Sequence, residues 1–188
     1  MPKKSKKKRI NKNDSLNLSL FTLVKKNNKD TIELLLKYNI NLNVNISDKD
    51  GTTPLCIAVY NNNYDIVHIL LDYNANTDIS NLDGNTPLMI ASAFGYIDIV
   101  ELLLKYSSDE NVIKKNNINK TAIEYAYENG HVDILELFFS KNIFASPEHL
   151  NSNNNYINNI YTNKLKYKFS RFLSKTTPFK QPNEENAN

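Results

Sequence analysis

Two nine-residue segments constrain this chain more than anything else in it. Asp50-Gly-Thr-Thr-Pro-Leu-Cys-Ile-Ala at 50–58 returns as Asp83-Gly-Asn-Thr-Pro-Leu-Met-Ile-Ala at 83–91, a shift of 33 residues. A weaker copy, Asn119-Lys-Thr-Ala-Ile-Glu-Tyr-Ala, follows 35 residues later at 119–126. A second block lies between the copies: Asp65-Ile-Val-His-Ile-Leu-Leu, Asp98-Ile-Val-Glu-Leu-Leu-Leu and Asp133-Ile-Leu-Glu-Leu-Phe-Phe. An earlier version is Asp30-Thr-Ile-Glu-Leu-Leu-Leu. Self-similarity at this period predicts a stack of short units, each of which buries its apolar face only against its neighbours. Such a stack displays a surface; it does not build a deep catalytic pocket.

Each unit reads as two helices. Thr53 and Thr86 suit a helix N-cap, because a threonine hydroxyl accepts a backbone N–H there. Pro54 and Pro87 suit the first helical position, where the missing N–H would be orphaned anyway. Gly51 and Gly84 mark the turns before them. The first helices present Ala58, Ala91 and Ala126, small enough for neighbours to approach closely. The second helices carry apolar stripes at helical spacing: Ile66, Val67, Leu70 and Leu71; Ile99, Val100, Leu103 and Leu104; Ile134, Leu135, Phe138 and Phe139. Asp65, Asp98 and Asp133 fall in first turns, where the helix macrodipole favours negative charge.

The period, Gly-x-Thr-Pro-Leu and the Ile-Val-x-x-Leu-Leu block resemble the ankyrin-repeat family over roughly residues 16–143. The resemblance implies an all-α solenoid of about four helix-turn-helix repeats with β-turn fingers, followed by a C-terminal helical extension. Cys56, Met89 and Glu124 replace the family's histidine after Thr-Pro-Leu, so its hydrogen bonds between repeats should be missing. The family's glycine between helices survives as Gly95 and Gly130, with Asn27 and Asn62 at the equivalent places. Tyr38 to Gly51 and Tyr106 to Asn119 each span 13 residues against 11 from Tyr73 to Gly84, two extra residues in the connection that carries the finger.

Charge divides the chain. Residues 1–12 hold seven basic and no acidic residues, residues 13–143 hold 10 basic and 17 acidic, and residues 144–188 hold 6 basic and 3 acidic. An acidic array is a poor nucleic-acid groove, which needs clustered Lys and Arg to displace counterions. The expected divisions are a basic disordered arm at 1–14, repeats at 15–47, 48–80, 81–115 and 116–143, a linker at 144–155, an amphipathic helix at 156–175 and a disordered tail at 176–188. In that helix Tyr161, Leu165, Phe169, Phe172 and Leu173 share an arc flanked by Lys164, Lys168, Arg171 and Lys175. Three readings stay open for it: a cap on the fourth repeat, a partner- or membrane-binding helix, or a segment that orders on binding.

No chemistry is expected. His68, His131 and His149 have no metal-ligand spacing, and Cys56 is a lone cysteine. There is no phosphate loop, nucleophile elbow or dinucleotide fingerprint. The expectation is a non-catalytic module without cofactor or metal, intracellular, cytoplasmic or nuclear, and monomeric.

By the resemblance, an unidentified protein partner should meet the concave side formed by finger tips and first helices. The finger candidates are Lys49, Asp50, Thr52, Leu82, Asp83, Asn85, Asn117, Ile118 and Lys120. The helix candidates are Lys25, Lys26, Tyr60, Asn61, Ala93, Phe94, Glu128 and Asn129. Tyr60 and Phe94 should lie about one repeat apart, near Leu82. An alternative reading gives the leading role to the tails. Lys3, Lys4, Lys6, Lys7, Lys8 and Arg9 would be a targeting signal or would hold nucleic acid or an anionic membrane.

Overall fold

A computed structural model describes residues 12–39 and 42–141. The arm before residue 12 and everything after residue 141, including the expected linker, amphipathic helix and tail, lie outside the described residues. The first helix, α1 (Lys12–Lys25), begins three residues before the expected start of the array at residue 15. It is followed by α2 (Lys29–Tyr38), α3 (Pro54–Tyr60), α4 (Tyr64–Asp72), α5 (Pro87–Phe94), α6 (Ile97–Tyr106), α7 (Asp109–Val112), α8 (Ala122–Glu128) and α9 (Val132–Ser140). The helices pair as four antiparallel units. First helices α1, α3, α5 and α8 pack side by side, and so do second helices α2, α4, α6 and α9. The described part is thus a two-layered helical stack, as the repeat predicts.

The caps and turns follow from the local sequence. Thr53 and Thr86 accept from Cys56 N at 3.2 Å and Met89 N at 3.3 Å, with proline directly after each. Thr121 lacks the proline but closes a capping box. Its hydroxyl accepts from Glu124 N at 3.3 Å, and the Glu124 carboxylate accepts from Thr121 N at 2.7 Å. The turns between paired helices need a left-handed residue, and all four supply one: Asn27 at φ 53°, Asn62 at 51°, Gly95 at 79° and Gly130 at 75°. Asparagine tolerates this region better than other side-chain-bearing residues, which explains the exchange.

The core lies between the layers. Ala58, Ala91 and Ala126 are fully buried, as are Ile66, Leu70, Leu103 and Ile134. Two expectations are corrected: Leu104 and Phe139 are only half-buried, while Leu102 is buried beside Ile99, Val100 and Leu103, so the stripe of α6 differs from the expected one at its last turn. The difference coincides with α7, the short helix that follows α6. The fingers themselves are not enlarged. Asp48, Asn81 and Asn116 each start an identical five-residue turn, with N–H groups donating to Thr52 O, Asn85 O and Lys120 O at 3.0, 3.1 and 2.9 Å. The two extra residues before the third finger are therefore taken up at its base, by α7, rather than at its tip.

Candidate functional site

Three features bring the finger tips and first helices onto one face. The first is the side chain that opens each tip. Asp48 Oδ1 accepts from Asp50 N and Thr52 N, Asn81 Oδ1 from Asp83 N and Asn85 N, and Asn116 Oδ1 from Ile118 N and Lys120 N. Six such bonds fix the tips.

The second feature is edge-on stacking of the tips. Leu82 N donates to Asp50 O and Asn117 N to Asp83 O, both at 3.0 Å, while Asn117 Nδ2 donates to Leu82 O at 2.7 Å. The approach leaves a side chain little room at Gly51 and none at Gly84. A Cβ on Gly51 would meet the Asn81–Leu82 backbone at 3.1–3.2 Å, and one on Gly84 would meet Asn117 at 2.7 Å.

The third feature joins finger to helix. Lys120 pairs with the Glu128 carboxylate at the end of α8 and lies 5.6 Å from the Tyr125 ring centroid. Glu128 holds the Lys120 ammonium above its ordinary pKa, an exposed pairing that positions the finger more than it stabilises it. Asn116 Nδ2 donates to both Asn85 Oδ1 at 2.7 Å and Tyr125 Oη at 2.9 Å.

On this face the ends of α3 and α5 present an aromatic string. Tyr60 and Phe94 meet edge to face with centroids 6.0 Å apart, and Phe94 stacks on Tyr96 at 5.6 Å. The two residues stand on successive first helices, and their rings are in direct contact. The repeat-equivalent of Tyr60 is Ala93, so Phe94 stands one position further along its helix and turns toward Tyr60. Partial burial raises the Tyr60 hydroxyl above its ordinary pKa, helped by Cys56, Asp83 and Tyr125 nearby. Asp83 on the finger is thus within electrostatic reach of the string. Leu82 and Ile118 do not fold back: they are 67% and 65% exposed, against 42% for Tyr60 and 52% for Phe94.

The other sequence candidates divide by what their side chains do. Lys49, Asp50, Asp83, Lys25 and Lys26 are exposed. Asn61, by contrast, donates to Val24 O at 3.3 Å and Asn27 Oδ1 at 3.0 Å, tying the second repeat to the first. Asn85 and Asn117 are likewise engaged between fingers, and Asn129 Nδ2 donates to Tyr125 O at 3.0 Å. Thr52 and Ala93 are half-buried. Asparagines and His131, rather than a histidine after Thr-Pro-Leu, therefore supply side-chain bonds between repeats.

Tyr96 is the residue that sequence reasoning missed. Its repeat-equivalents are Asn28, Asn63 and His131. Asn28 and Asn63 cap the second helices by accepting from Thr31 N and Ile66 N, at 3.2 and 3.1 Å. Tyr96 makes no cap bond. Giving up a cap costs about 1 kcal/mol, which the stacked ring offsets in part. An aromatic at a position where Asn28 and Asn63 are caps was the available signal.

Among the described residues no group of three or more His, Cys, Asp or Glu side chains is placed to hold a metal ion. No described helix is long and apolar enough to cross a membrane. Cys56 is fully buried, and burial raises its thiol above the ordinary value.

Comparison with known proteins agrees with this architecture. The family model described as ankyrin repeats (3 copies) matches residues 4–81 and 73–149. An ankyrin repeat protein of fowlpox virus (strain NVSL) is 44% identical over 66 residues, which is 35% of this chain and 15% of that protein. The match thus spans well under a quarter of the relative's length.

Proposed function

We infer that this chain, which belongs to the ankyrin-repeat family, recognises a protein partner through the face shared by its finger tips and first helices. Ankyrin repeats in general mediate protein–protein interaction. The particular surface is our reading, and one observation carries it: the exposed rings of Tyr60 and Phe94, the latter stacked on half-buried Tyr96, beside the exposed finger residues Leu82 and Ile118. Aromatic anchors rimmed by polar groups supply most binding energy at protein interfaces. Asp83 and Lys49 provide that rim. The face is held rigid by the finger turns and the cross-repeat bonds, so little ordering entropy opposes docking.

The reading is tested by affinity capture with the full chain against Tyr60→Ala/Phe94→Ala. Loss of the captured partner with helix content retained supports it. Because the two rings pack on each other, the variant should also lose about 0.5–1.5 kcal/mol of stability, so binding is compared well below its melting temperature. Capture that persists in the variant but falls steeply with salt would move recognition to the basic residues Lys3 to Arg9.

A further inference from the structure

The second-helix layer has a different chemistry. Helices α4, α6 and α9 hold Asp65, Asp72, Asp98, Glu101, Asp133 and Glu136 against one lysine, Lys105, while α2 adds Lys29 and Lys37 with Asp30 and Glu33; of the first helices α3 and α5 carry no charged side chain and α8 carries Glu124 and Glu128.

Neighbouring second helices meet through one repeated pair of positions. Lys29, the first residue of α2, places Nζ 3.0 Å from Asp65 Oδ2 on α4. One repeat later the equivalent pair is Tyr64, the first residue of α4, with Asp98 on α6. A neutral phenol has replaced the ammonium. Asp98 is exposed and has no hydrogen-bond or ion-pair partner among the described residues. Beside it opens a cavity of about 190 Å³ lined by Tyr64, Asp98, Glu101 and Lys105. Lys105 is turned to its own helix, 3.7 Å from Glu101. Asp72 is occupied, receiving Tyr106 Oη at 3.1 Å with His68 Nδ1 at 2.9 Å. The anion left over at this junction is Asp98.

We propose that the groove between α4 and α6 takes a lysine or arginine side chain from a basic segment of a partner protein. The incoming cation sits beside Asp98 as the Lys29 ammonium sits beside Asp65. Tyr64, 42% exposed, offers its ring face to the cation, and Glu101 adds a second carboxylate. A divalent metal fits poorly, because it needs six or more oxygen ligands and the groove supplies two carboxylates, one already paired. This second surface is independent of the aromatic string on the first-helix layer.

The test is a fluorescence titration of the full chain with a labelled penta-lysine amide at low salt. Asp98→Asn should weaken binding about fivefold, the size of one exposed charge pair. Asp109→Asn, an equal charge change on α7 outside the groove, should leave it unchanged. Tyr64→Lys restores the internal pair seen at Asp65 and should block the peptide while the fold is retained by circular dichroism. Equal weakening by Asp98→Asn and Asp109→Asn would show diffuse attraction and overturn the site, as would no change in either. Tighter binding after Lys6, Lys7 and Lys8 are changed to Gln would make the chain's own arm the occupant and overturn the assignment to a partner.

Discussion

The His131 ring fills the space that a side chain at Gly95 would occupy. A Cβ on Gly95 would lie 2.6 Å from His131 Cε1, and His131 Nε2 lies 3.1 Å from Ala93 O. The glycine thus serves two ends: it turns the chain at φ 79° and it leaves a seat for the next repeat's imidazole.

Gly130 separates these two roles. It has the same left-handed backbone at φ 75°, but nothing lies within 4 Å of a Cβ built there. Gly130→Ala should cost only the backbone strain, about 1–2 kcal/mol. Gly95→Ala should cost that and the displacement of His131, and should loosen the third repeat from the fourth. Urea melts of the two variants measure the difference. Equal losses would mean that His131 contributes nothing to the junction.

The corrected face of α6 makes an ordering prediction. Leu103→Ala should cost about 2–5 kcal/mol, Leu102→Ala nearly as much, and Leu104→Ala clearly less. A pattern built on repeat equivalence alone would rank Leu104 above Leu102, since Leu71 is 2% exposed. Denaturant melts of the three variants decide between them.

Cys56 should be inert in the folded chain. It is fully buried, and burial raises its thiol, so the folded state holds its proton where the unfolded state begins to release it. The sign follows: this contribution to stability is present below the ordinary thiol pKa of about 8.5 and is lost as pH rises through and above it. A thiol reagent should therefore label Cys56 only after denaturation. Rapid labelling of the native chain at neutral pH would contradict the placement.

Much of the fold was legible because its signals are local. Thr53-Pro54 and Thr86-Pro87 set helix starts within four residues of chain, and the left-handed turns needed only Gly95, Gly130, Asn27 and Asn62 at one offset. What stayed hidden depends on partners a repeat away. Nothing local to Asn61 says that it bonds Asn27, and Asn116 looks like any loop asparagine until Asn85 and Tyr125 stand beside it. The same holds for the candidate site. Tyr60, Leu82, Phe94 and Ile118 could be picked as exposed by period. The Tyr60–Phe94 contact and the part of Tyr96 depend on ring orientation, which no pattern encodes.

The central claim is that the aromatic, finger-side face meets the partner, and photocrosslinking tests it most directly. p-Benzoylphenylalanine is placed at 60, 82 or 94 on that face and at 33 or 136 on the second helices, with every chain checked for helix content. The account predicts adducts with the partner from 60, 82 and 94 and none from 33 or 136. Adducts confined to 33 and 136 would contradict it.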